Sequence, residues 1–403
     1  MKKIVAILAV ICLLFAGTLT YLQIQSKRSV MTEDIPVAAE NNDTEEMTET
    51  TDMQSHAPDF EAMYKLYPSD EVVMNVNGRD ITWQEYYYWF YYYTQQISDS
   101  MDMMEMYYGQ QTAWDDSASE TDDIKYSDLP MMYVEDQLKQ VETIYGYAVD
   151  NGIELTKEDL NNYNSILEAD MESVCGEDGT IEDFYDLLDE MYMNIDIYKH
   201  MNEVSLFYER SMIDLYGENG KKISDEEALE YLNENGYMSA IHILLLTSDS
   251  ATGESVDEDT KIKLEQQANK ISEELKAISE DEARLARMKE LIAEYNEDPG
   301  MQTYPDGYTF TSGTMVSEFE TAIQALQDYE VSDPVETSYG YHIIMRMPLK
   351  ADAVLTESSG ESYAKELLAT EKYTDALNEY YESVDVEYND GFKAPAISDY
   401  INK

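Results

Sequence analysis

The chain has 403 residues, with 84 Asp and Glu against 26 Lys and Arg, a formal net charge of −58. So acidic a field excludes binding to nucleic acid or anionic lipid through general electrostatics, and it suits solubility and weak attraction to basic, unfolded chains. With only two cysteines, Cys12 inside an apolar run and Cys175 far from it, no structural disulfide or cysteine metal site is implied.

Read in chain order, Met1-Lys2-Lys3 leads into an uncharged apolar run from Ile4 to Leu22, followed by Lys27-Arg28. That run is near the length needed to cross a bilayer, so residues 1–28 read as a signal anchor that leaves the rest of the chain on the extracytoplasmic face of the cell membrane. Cleavage or lipidation fits less well: Ala16-Gly17-Thr18 is a weak cleavage site, and Ile11 precedes Cys12 where a lipoprotein box wants a small residue. Residues 29–70 are poor in aliphatics and rich in Glu, Asp and Thr, and they read as an acidic disordered linker.

Residues 71–236 open with two short strands around Asn77-Gly78, after which Thr82 caps a helix with Glu85 three residues on. That helix carries the consecutive aromatics Tyr86 to Tyr93, which cover every face, so some must pack on neighbours or stay exposed. Ser98 to Asp128, with Met101, Met103, Met104, Met106, Tyr107 and Tyr108 among acids and serines, reads as a mobile insertion. Further helices are predicted over 131–150, 157–174, 181–190 and 195–216. Abundant Met and Tyr suit an adaptable client surface, with core packing as the competing account.

The next stretch places two histidines in apolar, β-branched runs that read as buried strands: His242 in Ala240 to Leu245, and His342 in Gly340 to Ile344. Two inward-facing imidazoles on neighbouring strands can hydrogen-bond in one cavity. Between them, apolar spacing of three and four predicts a helix from Asp257 to about Ile278 and a second, through Leu285, Met288, Leu291 and Ile292, that stops before Pro299. A turn-rich segment, Asp298 to Gly307, precedes a short strand at Tyr308-Thr309-Phe310 and a short helix carrying Phe319, Ala322, Ile323 and Leu326. Residues 361–384 read as one long helix.

These residues resemble the parvulin family of peptidyl-prolyl isomerases. The matching blocks are Ala240-Ile241-His242-Ile243-Leu244, Tyr295-Asn296-Glu297-Asp298, Gly313 to Glu320, Val331 to Thr337, and Tyr339-Gly340-Tyr341-His342-Ile343-Ile344, all in the family's order. The layout as a whole resembles extracytoplasmic foldases of the PrsA and SurA type. The resemblance implies an α+β chain: a parvulin domain over 237–350, a small antiparallel sheet with surrounding helices, inserted in a mainly helical chaperone domain formed by 71–236 and completed by 351–403. Implied site residues are His242, Asp298, Thr337 and His342 as the polar catalytic set, with Thr337 fixing a tautomer. Tyr308, Phe310, Met315, Phe319 and Tyr339 would bind substrate, Met315 and Phe319 lying four apart on one helical face to seat the proline ring.

Three departures matter. Tyr308 stands where many parvulins have a leucine, Tyr329 stands where a glycine commonly makes the tight turn after the third helix, and the loop Asp249 to Asp259 is acidic where phosphate-directed parvulins are basic. The implied function is a foldase that isomerises X-Pro bonds in unfolded or newly secreted polypeptides without cofactor, metal or nucleic acid. A holdase with an idle parvulin fold is the alternative. Membrane attachment would run through the N-terminal segment, and a homodimer stays open.

Overall fold

The computed structural model describes residues 57–401 apart from 110, 120–122, 177, 249–253 and 358–359. The anchor at 1–28, Cys12, His56, most of the acidic linker and Asp249 of the acidic loop therefore lie outside the described residues. Among the described residues no helix is long and apolar enough to cross a membrane.

In chain order the elements are α1 (Phe60–Tyr64), β1 (Val72–Val76), β2 (Arg79–Thr82), α2 (Trp83–Tyr108), α3 (Leu129–Asp150), α4 (Lys157–Cys175), α5 (Ile181–Glu190) and α6 (Ile195–Tyr216). They continue with α7 (Asp225–Glu234), β3 (Met238–Leu246), α8 (Glu258–Lys276), α9 (Asp281–Tyr295), α10 (Gly300–Thr303), β4 (Tyr308–Phe310) and α11 (Ser317–Gln324). Last come β5 (Val335–Glu336), β6 (Gly340–Met347), β7 (Val354–Glu357), β8 (Gly360–Tyr363), α12 (Ala364–Ser383) and β9 (Val386–Tyr388). The described residues divide into two compact units, one made of those up to Asp214 together with those from Tyr373 onward, the other of those within Leu215–Lys372.

In the first unit a three-stranded sheet has the order β2-β1-β9, so the C-terminal strand returns to pair antiparallel with β1, Met74 opposite Tyr388 and Val76 opposite Val386. The Thr82 hydroxyl accepts from the Glu85 N–H and starts α2. The aromatic run resolves by burial: Tyr86 to Phe90 are buried and Tyr91, Tyr92 and Tyr93 half-buried. Two expectations are corrected here. The linker does not extend to residue 70, because Asp59 caps α1, Met63 is fully buried, and Trp83 Nε1–H donates to the Tyr64 carbonyl at 2.7 Å while the Tyr87 hydroxyl donates to the Phe60 carbonyl at 2.5 Å. Nor does a mobile insertion begin at Ser98: α2 runs on to Tyr108, Gly109 ends it in the left-handed conformation, and Trp114 is buried in the loop that follows.

The second unit is built on a six-stranded sheet of order β5-β6-β3-β4-β7-β8. Its centre is the antiparallel β3–β6 pair, registered Leu244 to His342 and His242 to Ile344. Nearly every residue of β3 is buried, as expected of a strand covered on both faces, and Ala268, Ile271, Leu275, Met288 and Leu291 of α8 and α9 are among the core residues it shares. Gly340 opens β6 with φ +154°, and a Cβ there would sit on the Leu245 carbonyl oxygen, so only glycine lets the strands meet at this end. The turn after α11 forms without glycine. Tyr329 adopts φ +65°, held by its N–H donating to the Arg346 carbonyl at 2.8 Å and by Arg284 Nη1 donating to its own carbonyl at 3.0 Å. The unit reaches further than 237–350, since α7, the hairpin β7–β8 and the start of α12 belong to it. Residues 361–363 are strand and not the start of the long helix, because they pair with 354–356.

A charge cluster ties four elements of the first unit together. Arg79 of β2 donates to both oxygens of Glu85 on α2, at 2.6 and 2.8 Å, and through Nε to Glu142 on α3 at 2.6 Å, and His200 Nε2 of α6 donates to the same Glu142 oxygen at 2.9 Å. Both carboxylates are buried, so removing their cation leaves uncompensated charge in a low-dielectric site. Arg79→Met should therefore cost this unit about 3–5 kcal/mol. The measurement is urea unfolding followed by tryptophan fluorescence, which reports this unit because Trp83, Trp89 and Trp114 all lie in it; a loss below ~1 kcal/mol would show the cluster to be solvated.

Candidate functional site

The site is assembled on one face of β3 and β6. Because side chains alternate along a strand, the register places His242 and His342 on the same face as diagonal neighbours, and their Nδ1 atoms meet at 3.2 Å. Both rings are buried. The third member comes from a loop. β4 covers β3 only at Met238 to Ala240, which leaves the rest of that edge with unpaired backbone groups. The segment after α9 fills it: the Asn296 side chain accepts from the Leu244 N–H at 2.8 Å, the Glu297 carboxylate from the Leu246 N–H at 2.7 Å, and the Glu297 N–H donates to the Leu244 carbonyl at 3.0 Å. That latch sets Asp298 beside His242, with 2.8 Å from His242 Nε2 to Asp298 Oδ2.

Burial alone would raise the Asp298 carboxyl, yet hydrogen bonds from His242, the Tyr308 hydroxyl at 2.8 Å and the Gly300 N–H at 2.9 Å pull it down to about 2. An ionised carboxylate only accepts, so His242 Nε2 carries a proton and donates it to Asp298. A single proton then lies between the two Nδ1 atoms, on His342 when His242 is neutral and on His242 when it is charged. Thr337 suits both arrangements. Its hydroxyl lies 2.9 Å from His342 Nε2 and accepts the Tyr339 N–H at 3.1 Å, so it can donate to the ring or take the ring's proton and turn its own toward the Gly340 carbonyl at 3.4 Å. His342 stays neutral in either case, and burial, reinforced by His242, holds its pKa down to about 4.

The polar chain opens on a cavity of about 880 Å³ whose apolar wall includes Leu244, Met315, Val316 and Phe319. Phe319 stands edge-on to both imidazoles, centroid distances 5.2 and 5.6 Å. Of the residues expected from the sequence, the structure brings His242, Asp298, Thr337, His342, Tyr308, Met315 and Phe319 together. Tyr339 stands exposed at the mouth. Phe310 does not reach the cavity: fully buried, it backs Phe319 at 6.1 Å. Met315 is not on a helix, since α11 starts at Ser317. Its loop is fixed by buried Glu320, whose carboxylate accepts the N–H groups of Gly313 and Met315 at 2.8 and 2.9 Å and the Ser312 hydroxyl at 3.1 Å. Sequence reasoning missed Glu320, one of two glutamates in the first turn of α11 that read as surface, and missed the edge-filling role of Asn296. Leu246, Ser248 and Thr356 also line the cavity without having been expected there. Among the described residues no group of three or more His, Cys, Asp or Glu is arranged to hold a metal ion.

Residues 242–347 match the family model of the PPIC-type PPIase domain. The chain is 27% identical over 230 residues to the foldase protein PrsA of Staphylococcus epidermidis, covering 55% of this chain and 64% of that one. It is 38% identical over 125 residues to the foldase protein PrsA of Geobacillus kaustophilus, covering 30% of this chain and 36% of that one. The chain thus spans less than two thirds of the length of these relatives. Among solved structures, PrsA from Bacillus subtilis aligns with 78% of this chain and 92% of its own at 17% identity and a TM-score of 0.23. The second unit thus carries the stretch that matches a parvulin-type, PPIC-type PPIase domain, and the chain is similar to foldase proteins of the PrsA type.

The folded pKa of His342 lies below the ordinary histidine value of 6.5, so the unfolded chain takes up this proton first, and the domain loses stability as pH falls from 6.5 to about 4. In a ¹⁵N NMR titration the His342 ring should stay neutral from pH 8 to pH 5 and titrate near 4. A midpoint at or above 6.5 would mean the ring is not desolvated as described.

Proposed function

We propose that the parvulin unit is a peptidyl-prolyl cis-trans isomerase and that the chain is a foldase for unfolded, newly secreted polypeptides, working at the extracytoplasmic face of the membrane to which residues 1–28 anchor it. The observation that carries this reading is the hydrogen-bonded chain from half-buried Asp298 through buried His242, His342 and Thr337, opening on the apolar cavity at Met315 and Phe319.

The reaction makes and breaks no covalent bond. Its barrier, roughly 18–20 kcal/mol, is the resonance that keeps the amide planar, with partial negative charge on oxygen and positive charge on nitrogen. Twisting the bond removes that charge separation, so a cavity that replaces water with apolar side chains favours the twisted form over the planar one. Met315 and Phe319 supply the surface for the prolyl ring. Ionised Asp298 adds an electrostatic term, since a carbonyl oxygen held beside it is discouraged from keeping its negative charge. The two imidazoles and Tyr308 hold the carboxylate still, so no reorganisation is needed during rotation.

A second reading, a holdase whose parvulin fold does no catalysis, draws support from the end of α2, where Met103, Met106, Tyr107 and Tyr108 are 57–78% exposed and offer an adaptable apolar surface. A proline-limited refolding assay separates the two. Only an isomerase accelerates the slow phase at substoichiometric amounts.

In that assay His242→Ala or His342→Ala should slow catalysis at least about tenfold, equivalent to about 1.4 kcal/mol in the barrier, with fold checked by circular dichroism. Wild-type rates in both folded variants would remove the catalytic assignment. Substrate charge gives a further expectation. The described lining of the cavity holds Glu297 and Asp298 and no Lys or Arg, and Glu254, Asp257, Glu258 and Asp259 follow β3. Turnover on phosphorylated Ser-Pro or Thr-Pro peptides should not exceed that on matched unphosphorylated ones, and a clear preference for phosphate would refute the acidic-loop argument.

A further inference from the structure

The face that carries the histidines extends beyond the matched residues 242–347. Met238 opposite Phe310 and Ala240 opposite Tyr308 keep Phe310 and Tyr308 on the same face as His242. The parallel pair Thr309 to Leu355 puts Leu355 on the opposite face, and Thr356, one residue on, returns to the face of the site beside Phe310. Thr356 lines the same cavity as Gly313, Thr314 and Met315. Its hydroxyl is buried and finds no hydrogen-bond partner among the described residues.

A buried hydroxyl without a partner is unfavourable unless something else completes it. The cavity supplies the means, because a step between staggered χ1 positions exchanges the methyl and the hydroxyl of a threonine at its wall. An extended peptide with its proline over Met315 and Phe319 would bring desolvated backbone N–H and C=O groups to that wall, and these also need partners. Backbone groups are common to every sequence, and a hydroxyl both donates and accepts. We propose that Thr356, on the β7–β8 hairpin, is a substrate-contacting residue that hydrogen-bonds the peptide backbone next to the proline. The identity of the ligand rests on the isomerase reading above.

The test uses the full chain and a fluorescently labelled, uncharged tetrapeptide containing Ala-Pro, with binding followed by anisotropy. Thr356→Val keeps the shape and removes the hydroxyl; it should raise Kd about three- to tenfold, the loss of one neutral hydrogen bond, while Thr356→Ser stays within about twofold of wild type. Equal affinity of the Val variant and wild type overturns the proposal, as does failure of the wild type to bind the peptide. Wild type that binds but does not isomerise would refute the isomerase reading alone, since weaker binding by Thr356→Val with rescue by Thr356→Ser would still support the contact.

Discussion

The pairing of Leu244 with His342 and of His242 with Ile344 is the constraint on which the site depends. Two residues of offset on one face let the Nδ1 atoms reach each other. A slip of one residue would turn one ring to the far side of the sheet and disconnect the chain of hydrogen bonds. Register is in turn secured at the end of the pair by Gly340, which lets the backbones of β3 and β6 approach, and along its length by apolar residues that must stay buried on both faces.

The same register determines where polar groups are missing, and the missing partners place the rest of the site. β4 is only three residues long, so β3 keeps a free edge, and the Asn296 to Asp298 segment is the piece of chain that satisfies it. Asp298 reaches His242 because of that repair. A comparable repair occurs on the opposite wall, where Glu320 takes two backbone N–H groups and so fixes the loop bearing Met315. Burial would raise the Glu320 carboxyl, but those bonds bring it below its ordinary value.

Periodicity made most of the longer helices legible: α5 and α6 fall where spacing puts them, α1 and α7 were not expected, and His242 and His342 stood out as histidines inside apolar runs. The hairpin β7–β8 was not legible. Two strands of four residues with no sustained alternation read as the lead into a helix. Residues 57–70 failed for a different reason. Acidic composition suggests a solvated spacer, but Phe60, Tyr64 and Tyr67 are enough to seat it on Tyr91, Tyr87 and Trp83. Composition averages over such anchors. Tyr329 shows the converse, a turn kept by tertiary hydrogen bonds where local preference argues against it.

The state of the polar atoms says what kind of reaction the cavity suits. Asp298 accepts from three donors, each imidazole is engaged through both nitrogens, and Thr337 is bonded to the ring and to the Tyr339 N–H. A general base needs a lone pair aimed at its substrate, and a nucleophile needs a base beside it. Neither is on offer in a chain whose members are occupied with one another. What the cavity presents instead is an apolar wall and the carboxylates of Asp298 and Glu297, each held by hydrogen bonds to its surroundings. That combination suits a reaction whose difficulty is electronic delocalisation within the substrate.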